Sequence, residues 1–125
     1  MEVLSYSAIM DSLQTILPDK WKKVIYIAVF MESSYSMKCY AECGDGKFTD
    51  CFLLADRDSI RSAFSVIYDE LQRVRSTLTE KELWHGFTMT VSDDGKFKAG
   101  FDYDDVGDSV VHKIQELKEK CISNF

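Results

Sequence analysis

A chain of 125 residues with 46% hydrophobic residues and one proline is long enough to bury its own core and too apolar to be disordered. Its formal net charge of −6 disfavours direct binding to DNA or RNA, which usually requires a basic surface. No apolar run approaches the ~18 residues of a membrane span, and the N-terminus around Glu2 and Asp11 lacks the basic start of a signal peptide. We therefore expect one domain over residues 1–125, with no membrane and no nucleic acid as partner.

The first half of the chain predicts a helix followed by strands. Apolar residues recur at helical spacing from Tyr6 to Leu17, where Pro18 ends the pattern. Residues 24–30 form a continuous apolar, β-branched and aromatic run, which is typical of a central strand covered on both faces. Residues 35–41 alternate between apolar and polar side chains, which predicts a second strand with one buried face.

A hairpin turn at Gly44-Asp45-Gly46 leads into a third predicted strand over Phe48–Leu54. A long amphipathic helix follows, with Asp56 or Asp58 as its cap, apolar residues from Ile60 to Leu78 on one side, and charged residues on a solvated outer side. The outer residues include Arg61, Asp69, Arg73 and Arg75.

Two further strands and a helix complete the pattern. Residues 87–91 and 97–103 alternate on either side of an Asp93-Asp94-Gly95 turn, and Ser109 caps a final helix. The order is α-β-β-β-α-β-β-α. Short connections between successive strands exclude most parallel crossovers, so we predict an α+β fold whose antiparallel sheet has about five strands and carries its helices largely on one face.

The aromatic residues next to the predicted strands are expected to serve the core. Trp21 and Trp84 each precede a strand, where a tryptophan more often fills the core than binds a ligand. Tyr103 alternates with Phe101 and is expected on the same inner face.

No motif for catalysis, a metal or a cofactor is present. His85 and His112 lie in no nucleophile motif, and the chain has neither a GxSxG sequence nor a phosphate-binding loop. The four cysteines lack the paired spacing of a zinc site, so we expect reduced thiols in a cytosolic protein. They are Cys39, Cys43, Cys51 and Cys121. We therefore predict a protein that is not an enzyme and holds no cofactor or metal.

The acidic residues concentrate between Ser92 and Asp108. This segment contains six aspartates and two lysines and carries −4 of the net charge. Three interpretations remain open: a surface facing a basic partner, a solubilising face, and a divalent-metal site at Asp102, Asp104 and Asp105. The third would make the protein a metal-dependent hydrolase.

Several short motifs occur in a characteristic order. Pro18-Asp19-Lys20-Trp21 follows the first helix, Trp84 opens a later strand, and Asp94-Gly95-Lys96-Phe97 precedes Phe101-Asp102-Tyr103-Asp104-Asp105. In this order and spacing the chain resembles the YezG-like immunity proteins, which include the EsaG type, over residues 13–105.

This resemblance implies a cytoplasmic antitoxin that binds and neutralises a cognate toxin, often a nuclease, delivered by a secretion or contact-dependent system. A nuclease site that holds phosphates is basic, so an acidic surface could occupy it in place of the substrate. An adaptor or chaperone for a secreted protein is a further alternative. The carboxylates that we expect to bind the toxin are Asp102, Asp104, Asp105, Asp93, Asp94, Glu42 and Asp45.

Overall fold

The structure is a computed structural model that describes residues 3–125, so Glu2 lies outside the described residues. Its three α-helices are α1 (Tyr6–Gln14), α2 (Arg57–Arg75) and α3 (Val110–Ser123). Its five strands are β1 (Lys23–Phe30), β2 (Tyr35–Glu42), β3 (Thr49–Asp50), β4 (Gly86–Ser92) and β5 (Phe97–Asp102). This order confirms the predicted α+β class. No helix in this part of the chain is long and apolar enough to cross a membrane.

The five strands form one antiparallel sheet in the order β3-β2-β1-β4-β5. Lys23 of β1 pairs with Glu42 of β2 and with Ser92 of β4. The turns after β2 and after β4 therefore lie at the same end of the sheet, which we call the Gly95 end. The β1–β2 turn and the segment after β5 lie at the opposite end, which we call the Asp105 end.

The central strand β1 is buried on both faces, as its apolar run predicted. Tyr26 and Phe30 pack in the core beneath α1 and α2, whereas Ile25 and Ile27 pack in a second core with α3. The prediction that the helices lie largely on one face is therefore wrong for α3. Because β1 alternates apolar residues on both sides, the sheet needs a helix on each face to remove them from water.

The third strand is much shorter than predicted. Only Thr49 and Asp50 pair with β2, and a short 3-10 helix then begins at Cys51. The Asp50 carboxylate accepts a hydrogen bond from the backbone N–H of Phe52 at 2.9 Å. This local cap competes with the strand ladder, which explains why the extended conformation ends there.

The tryptophans and the last strand differ in how far they are buried. Trp84 is 3% exposed, which confirms its place in the core. Trp21 is half-buried and packs against the edge of the same core. Phe101 is 38% exposed, and Tyr103 lies beyond the end of β5 and is 59% exposed, so the prediction of an inward Tyr103 is wrong. The cause is position, because β5 is the edge strand of the sheet and ends at Asp102, one residue before Tyr103.

Candidate functional site

The seven predicted site carboxylates do not form one patch. Four lie at the Gly95 end, namely Glu42, Asp45, Asp93 and Asp94. Three lie at the Asp105 end, namely Asp102, Asp104 and Asp105. The two groups are separated by the length of β4, which has 7 residues and therefore spans about 20 Å.

Glu42 is turned into the protein at the Gly95 end. Its residue is 5% exposed, and its carboxylate accepts hydrogen bonds from the backbone N–H groups of Gly44 and, at 3.2 Å, of Gly46. Both glycines have positive φ, which this tight turn requires. Asp45 is exposed and accepts a hydrogen bond from the backbone N–H of Lys47 at 3.0 Å. Glu42 thus stabilises the turn from inside, and only Asp45 faces solvent.

The other two carboxylates at this end have lysine partners. Asp93 Oδ2 lies 3.3 Å from Lys22 Nζ, and Asp94 Oδ2 lies 3.8 Å from Lys96 Nζ. The hydroxyl of Ser92 donates to Asp94, and together with the backbone N–H of Lys96 it lowers the pKa of Asp94. The Gly95 end therefore carries mixed charge rather than a negative patch.

Asp102 occupies a partly buried position at the other end of the sheet. It points away from the face of Phe101, as strand alternation predicted, but α3 covers that side. Its Oδ2 atom lies 3.1 Å from Lys113 Nζ, and its Oδ1 atom accepts a hydrogen bond from the backbone N–H of Asp104 at 2.9 Å. Asp102 therefore positions the chain that follows β5.

That following chain carries exposed carboxylates. Asp104, Asp105 and Asp108 are all exposed, and the side chain of Asp105 is 95% exposed. Among residues 3–125, no lysine or arginine lies within 4 Å of these carboxylates; the nearest basic atom recorded is His85 Nε2, 3.7 Å from Asp105. Glu32, in the β1–β2 turn, lines the same cleft of about 610 Å³ as Asp105 and Asp108. We call these four acidic residues the acidic tip.

Glu32 was missed by the sequence analysis. It lies more than 70 residues from the aspartates along the chain, so no sequence spacing connects them. Only the pairing of β1 with β4, and of β4 with β5, brings the β1–β2 turn to the same end of the sheet.

An arginine lines the same cleft beside the acidic tip. The Arg75 guanidinium lies 4.3 Å from the Phe30 ring centroid and 5.4 Å from that of Trp84, and its Nε donates to the Trp84 carbonyl at 3.0 Å. Burial lowers the pKa of Arg75. The sequence analysis placed Arg75 on the solvated outer side of α2, and that prediction is therefore wrong. Tyr35 stacks on Tyr68 close by, at 4.2 Å between centroids. Arginine and tyrosine are enriched at the energetic centres of protein interfaces.

The described residues give little support to the alternative of a metal-dependent hydrolase. Nowhere in residues 3–125 do three or more histidine, cysteine, aspartate or glutamate side chains group so that they could hold a metal ion. The carboxylate of Asp102 already binds the ammonium of Lys113, which would repel a cation at the proposed cluster. The four cysteines form no disulfide bond. Cys43 is exposed, whereas Cys39, Cys51 and Cys121 are buried.

The protein is therefore a small α+β domain whose candidate site is a set of exposed carboxylates at one end of a sheet covered on both faces. The family model described as "Immunity protein YezG-like" matches residues 3–119, and the chain belongs to this family. Membership confirms the resemblance seen in the sequence and supports an immunity role, which implies the binding of a cognate toxin. A search of the curated proteins found no match.

Proposed function

We propose that the protein neutralises a cognate nuclease toxin in the bacterial cytoplasm by covering a basic surface of the toxin with its acidic tip. The observation that carries this proposal is the group of exposed carboxylates at the Asp105 end, without lysine or arginine partners among residues 3–125, in a chain of an immunity family. No catalytic step by this protein is required.

The charge arrangement suits a nuclease as partner. A nuclease binds a polyanion, so its substrate-binding surface is basic, and a cluster of carboxylates offers that surface the same charge as the substrate. The net charge of −6 adds a long-range attraction that accelerates encounter. A negative protein of this kind would be repelled by the phosphates of DNA or RNA, so we expect no direct binding to nucleic acid.

The acidic tip is favoured over the Gly95 end for a physical reason. Asp93 and Asp94 are compensated by Lys22 and Lys96, so a basic partner would gain less from them and would meet two lysines. Asp104 and Asp105 have no such compensation among the described residues. Asp102 contributes indirectly, because its bond to the backbone of Asp104 fixes the segment that presents the tip.

The test begins with sequencing of the gene immediately upstream, which we expect to encode the toxin, and with purification of its product. Its purified toxin domain should degrade DNA or RNA, and a stoichiometric amount of the immunity protein should stop the reaction. A partner without nuclease activity, or a nuclease that remains active in the complex, would contradict the proposal.

The surface is tested with neutral variants of the same shape. Asp104→Asn and Asp105→Asn should weaken toxin binding, whereas Asp93→Asn and Asp94→Asn serve as matched controls at the other end of the sheet. A desolvated contact with arginine or lysine should cost about 2–5 kcal/mol, mainly through faster dissociation, and a contact at the rim should change mainly the association rate and its salt dependence. Equal binding by all four variants, with unchanged melting curves, would place the interface elsewhere.

A further inference from the structure

Arg75 is the last residue of α2, and its guanidinium is held in a fixed orientation. The guanidinium carbon lies 4.3 Å from the centroid of the Phe30 ring and 5.4 Å from that of the Trp84 ring. The Nε atom donates to the Trp84 carbonyl at 3.0 Å. Because its face lies on a ring and its Nε is bonded, this side chain has lost most of the rotational freedom that an arginine normally has.

The terminal nitrogens of the Arg75 guanidinium lack an acceptor in the described part of the chain. The bond from Nε is the one side-chain hydrogen bond of Arg75 among residues 3–125, and no carboxylate in that range lies within 4 Å of the guanidinium. Solvent still reaches the terminal nitrogens, since the Tyr26 hydroxyl is the only fully buried side-chain polar atom without a partner among these residues. Their four N–H groups are therefore available to a binding partner.

This arrangement is unfavourable in the protein alone. Arg75 is half-buried, and burial lowers its pKa because the charged form has lost part of its hydration. The two aromatic rings favour the positive charge, but they are no substitute for a carboxylate at the terminal nitrogens. A cation that is partly desolvated and has no counter-charge is stabilised by a complex that supplies one.

We propose that Arg75 binds a carboxylate side chain of the toxin, at the centre of the surface that the acidic tip surrounds. This inference rests on the proposed function, because it takes the toxin as the partner that covers the acidic tip. Arg75 lines the same cleft as Glu32, Asp105 and Asp108, so a partner that meets those carboxylates also reaches the guanidinium. The planar fork of a guanidinium matches the two oxygens of a carboxylate, and arginines anchored in this way are typical of the centres of interfaces.

The neighbouring charges decide between a carboxylate and a phosphate. A phosphate of a nucleic acid also accepts hydrogen bonds from a guanidinium, but Glu32, Asp105 and Asp108 would repel a polyanion in the same cleft. One aspartate or glutamate on a basic protein surface meets less repulsion, because its basic neighbours compensate the acidic tip. The ligand that fits all the charges of this cleft is thus a protein surface with a carboxylate among lysines or arginines.

This contact would make the immunity protein selective among toxins. The acidic tip by itself attracts any basic surface, because long-range electrostatics depends little on the exact positions of the charges. Arg75 adds a local requirement: a toxin with lysine or arginine at the matching position would bring two cations together in a partly desolvated contact. The acidic tip accelerates encounter, and Arg75 selects the cognate toxin.

The test measures the dissociation constant between the full chain and the purified toxin domain, obtained as the product of the gene immediately upstream. Arg75→Met keeps an apolar stem beside Phe30 and removes the charge, and it should raise Kd about 10- to 100-fold. Arg75→Lys keeps the charge without the planar fork and should raise Kd about tenfold. Arg61→Met is the matched control, since Arg61 is an exposed arginine roughly four turns earlier on α2, and it should leave Kd unchanged.

A second series distinguishes an ion pair with the toxin from a role in supporting Trp84. The aspartates and glutamates of the toxin domain are changed one at a time to asparagine or glutamine. One change should raise Kd for the wild-type immunity protein but have little further effect on Arg75→Met, because both remove the same contact. Arg75→Lys serves in this cycle if the melting curve of Arg75→Met shows loss of the fold. A series in which no toxin carboxylate is coupled to Arg75 overturns the inference.

The outcomes separate this inference from the proposed function. If Asp104→Asn and Asp105→Asn weaken binding while folded Arg75→Met and Arg75→Lys bind like wild type, the Arg75 contact is rejected and the acidic tip stands. A partner that binds through Arg75 but is not a nuclease rejects only the nuclease assignment. If the two wild-type proteins do not bind each other, both proposals are rejected.

Discussion

The Nζ atom of Lys113 lies 3.1 Å from Oδ2 of Asp102, with side chains that are only 6% and 15% exposed, respectively. The pair joins the end of the edge strand to the first turns of α3, and Glu116 Oε1 approaches the same ammonium at 3.9 Å. Asp102 also accepts the backbone N–H of Asp104. One ion pair therefore anchors α3 to the sheet and orients the segment that carries the acidic tip.

Removing one partner of this pair should destabilise the fold strongly. Asp102→Ala removes the nearer counter-charge of a buried ammonium and leaves only Glu116, 3.9 Å away. Breaking a buried ion pair in this way typically costs about 3–5 kcal/mol. Replacing both residues, as in Asp102→Ala with Lys113→Met, should recover most of that loss. The free energy of unfolding in urea measures both. Similar losses in the single and the double variant would show that the charges are not coupled. Loss of toxin binding by Asp102→Ala must therefore be corrected for loss of folded protein.

Trp84 and Trp21 should differ in their contribution to stability. The Trp84 ring packs against Phe30, Phe87 and Phe101 with centroids 5.7, 6.1 and 5.3 Å away. Trp84→Ala should cost about 3–5 kcal/mol, as is usual for a buried tryptophan. Trp21→Ala should cost clearly less because Trp21 is only half-buried. Melting curves and urea titrations test whether Trp84→Ala destabilises the protein more than Trp21→Ala does. A stable Trp84→Ala variant that fails to bind toxin would instead assign Trp84 to the interface.

Glu70 should make stability dependent on pH in the acidic range. Its carboxylate accepts hydrogen bonds from the guanidinium of Arg73 and from the backbone N–H of Ser5, and these bonds, the Arg73 bond foremost, lower the pKa of Glu70. A lowered pKa stabilises the fold fully above the ordinary value of 4.5, and this contribution is lost as the pH falls through the lower folded-state value.

Glu70→Gln should therefore lose roughly 1 kcal/mol at neutral pH, and the difference from wild type should shrink as the solution is acidified. Unfolding free energies at several pH values give the comparison. Glu80→Gln is a matched control, because Glu80 is exposed and its carboxylate has no hydrogen bond or ion pair among residues 3–125. A constant difference between Glu70→Gln and wild type at all pH values would contradict the assignment.

Of the four thiols, one should react fast with a thiol reagent and three should react slowly. Cys43 is exposed and should react at once with a thiol reagent. The hydrogen bond between Cys39 and Cys51, together with burial, raises the pKa of Cys39, and burial raises the pKa of Cys121. Because the thiolate is the reactive form, the buried thiols should react only on unfolding. Cys43→Ser should remove the fast phase alone, and a second fast thiol in that variant would refute this view.

Local patterns predicted much of the fold because their physical causes are local. The alternation of residues 35–41 and the apolar stripe from Ile60 fix a strand and a helix by the geometry of the backbone alone. The β3 region was predicted less well, since the Asp50 side chain caps a turn where residue preference favours a strand. The inward placement of Tyr103 failed because the alternating pattern predicts a continuing strand, whereas β5 ends at Asp102, whose carboxylate accepts the backbone N–H of Asp104 and turns the chain.

The α+β class, the doubly covered central strand, the net negative charge and the family resemblance could all be predicted from the sequence, because composition and spacing carry these properties directly. Which carboxylates are available to a partner depends instead on how the chain folds. Folding places the seven predicted carboxylates in two groups at opposite ends of the sheet. It buries Glu42 in a turn and pairs Asp102 with Lys113. It also brings Glu32 into the same cleft as Asp105 and Asp108. The physical reason is that charge acts through space, so a carboxylate's role depends on neighbours that the folded sheet supplies from distant parts of the chain.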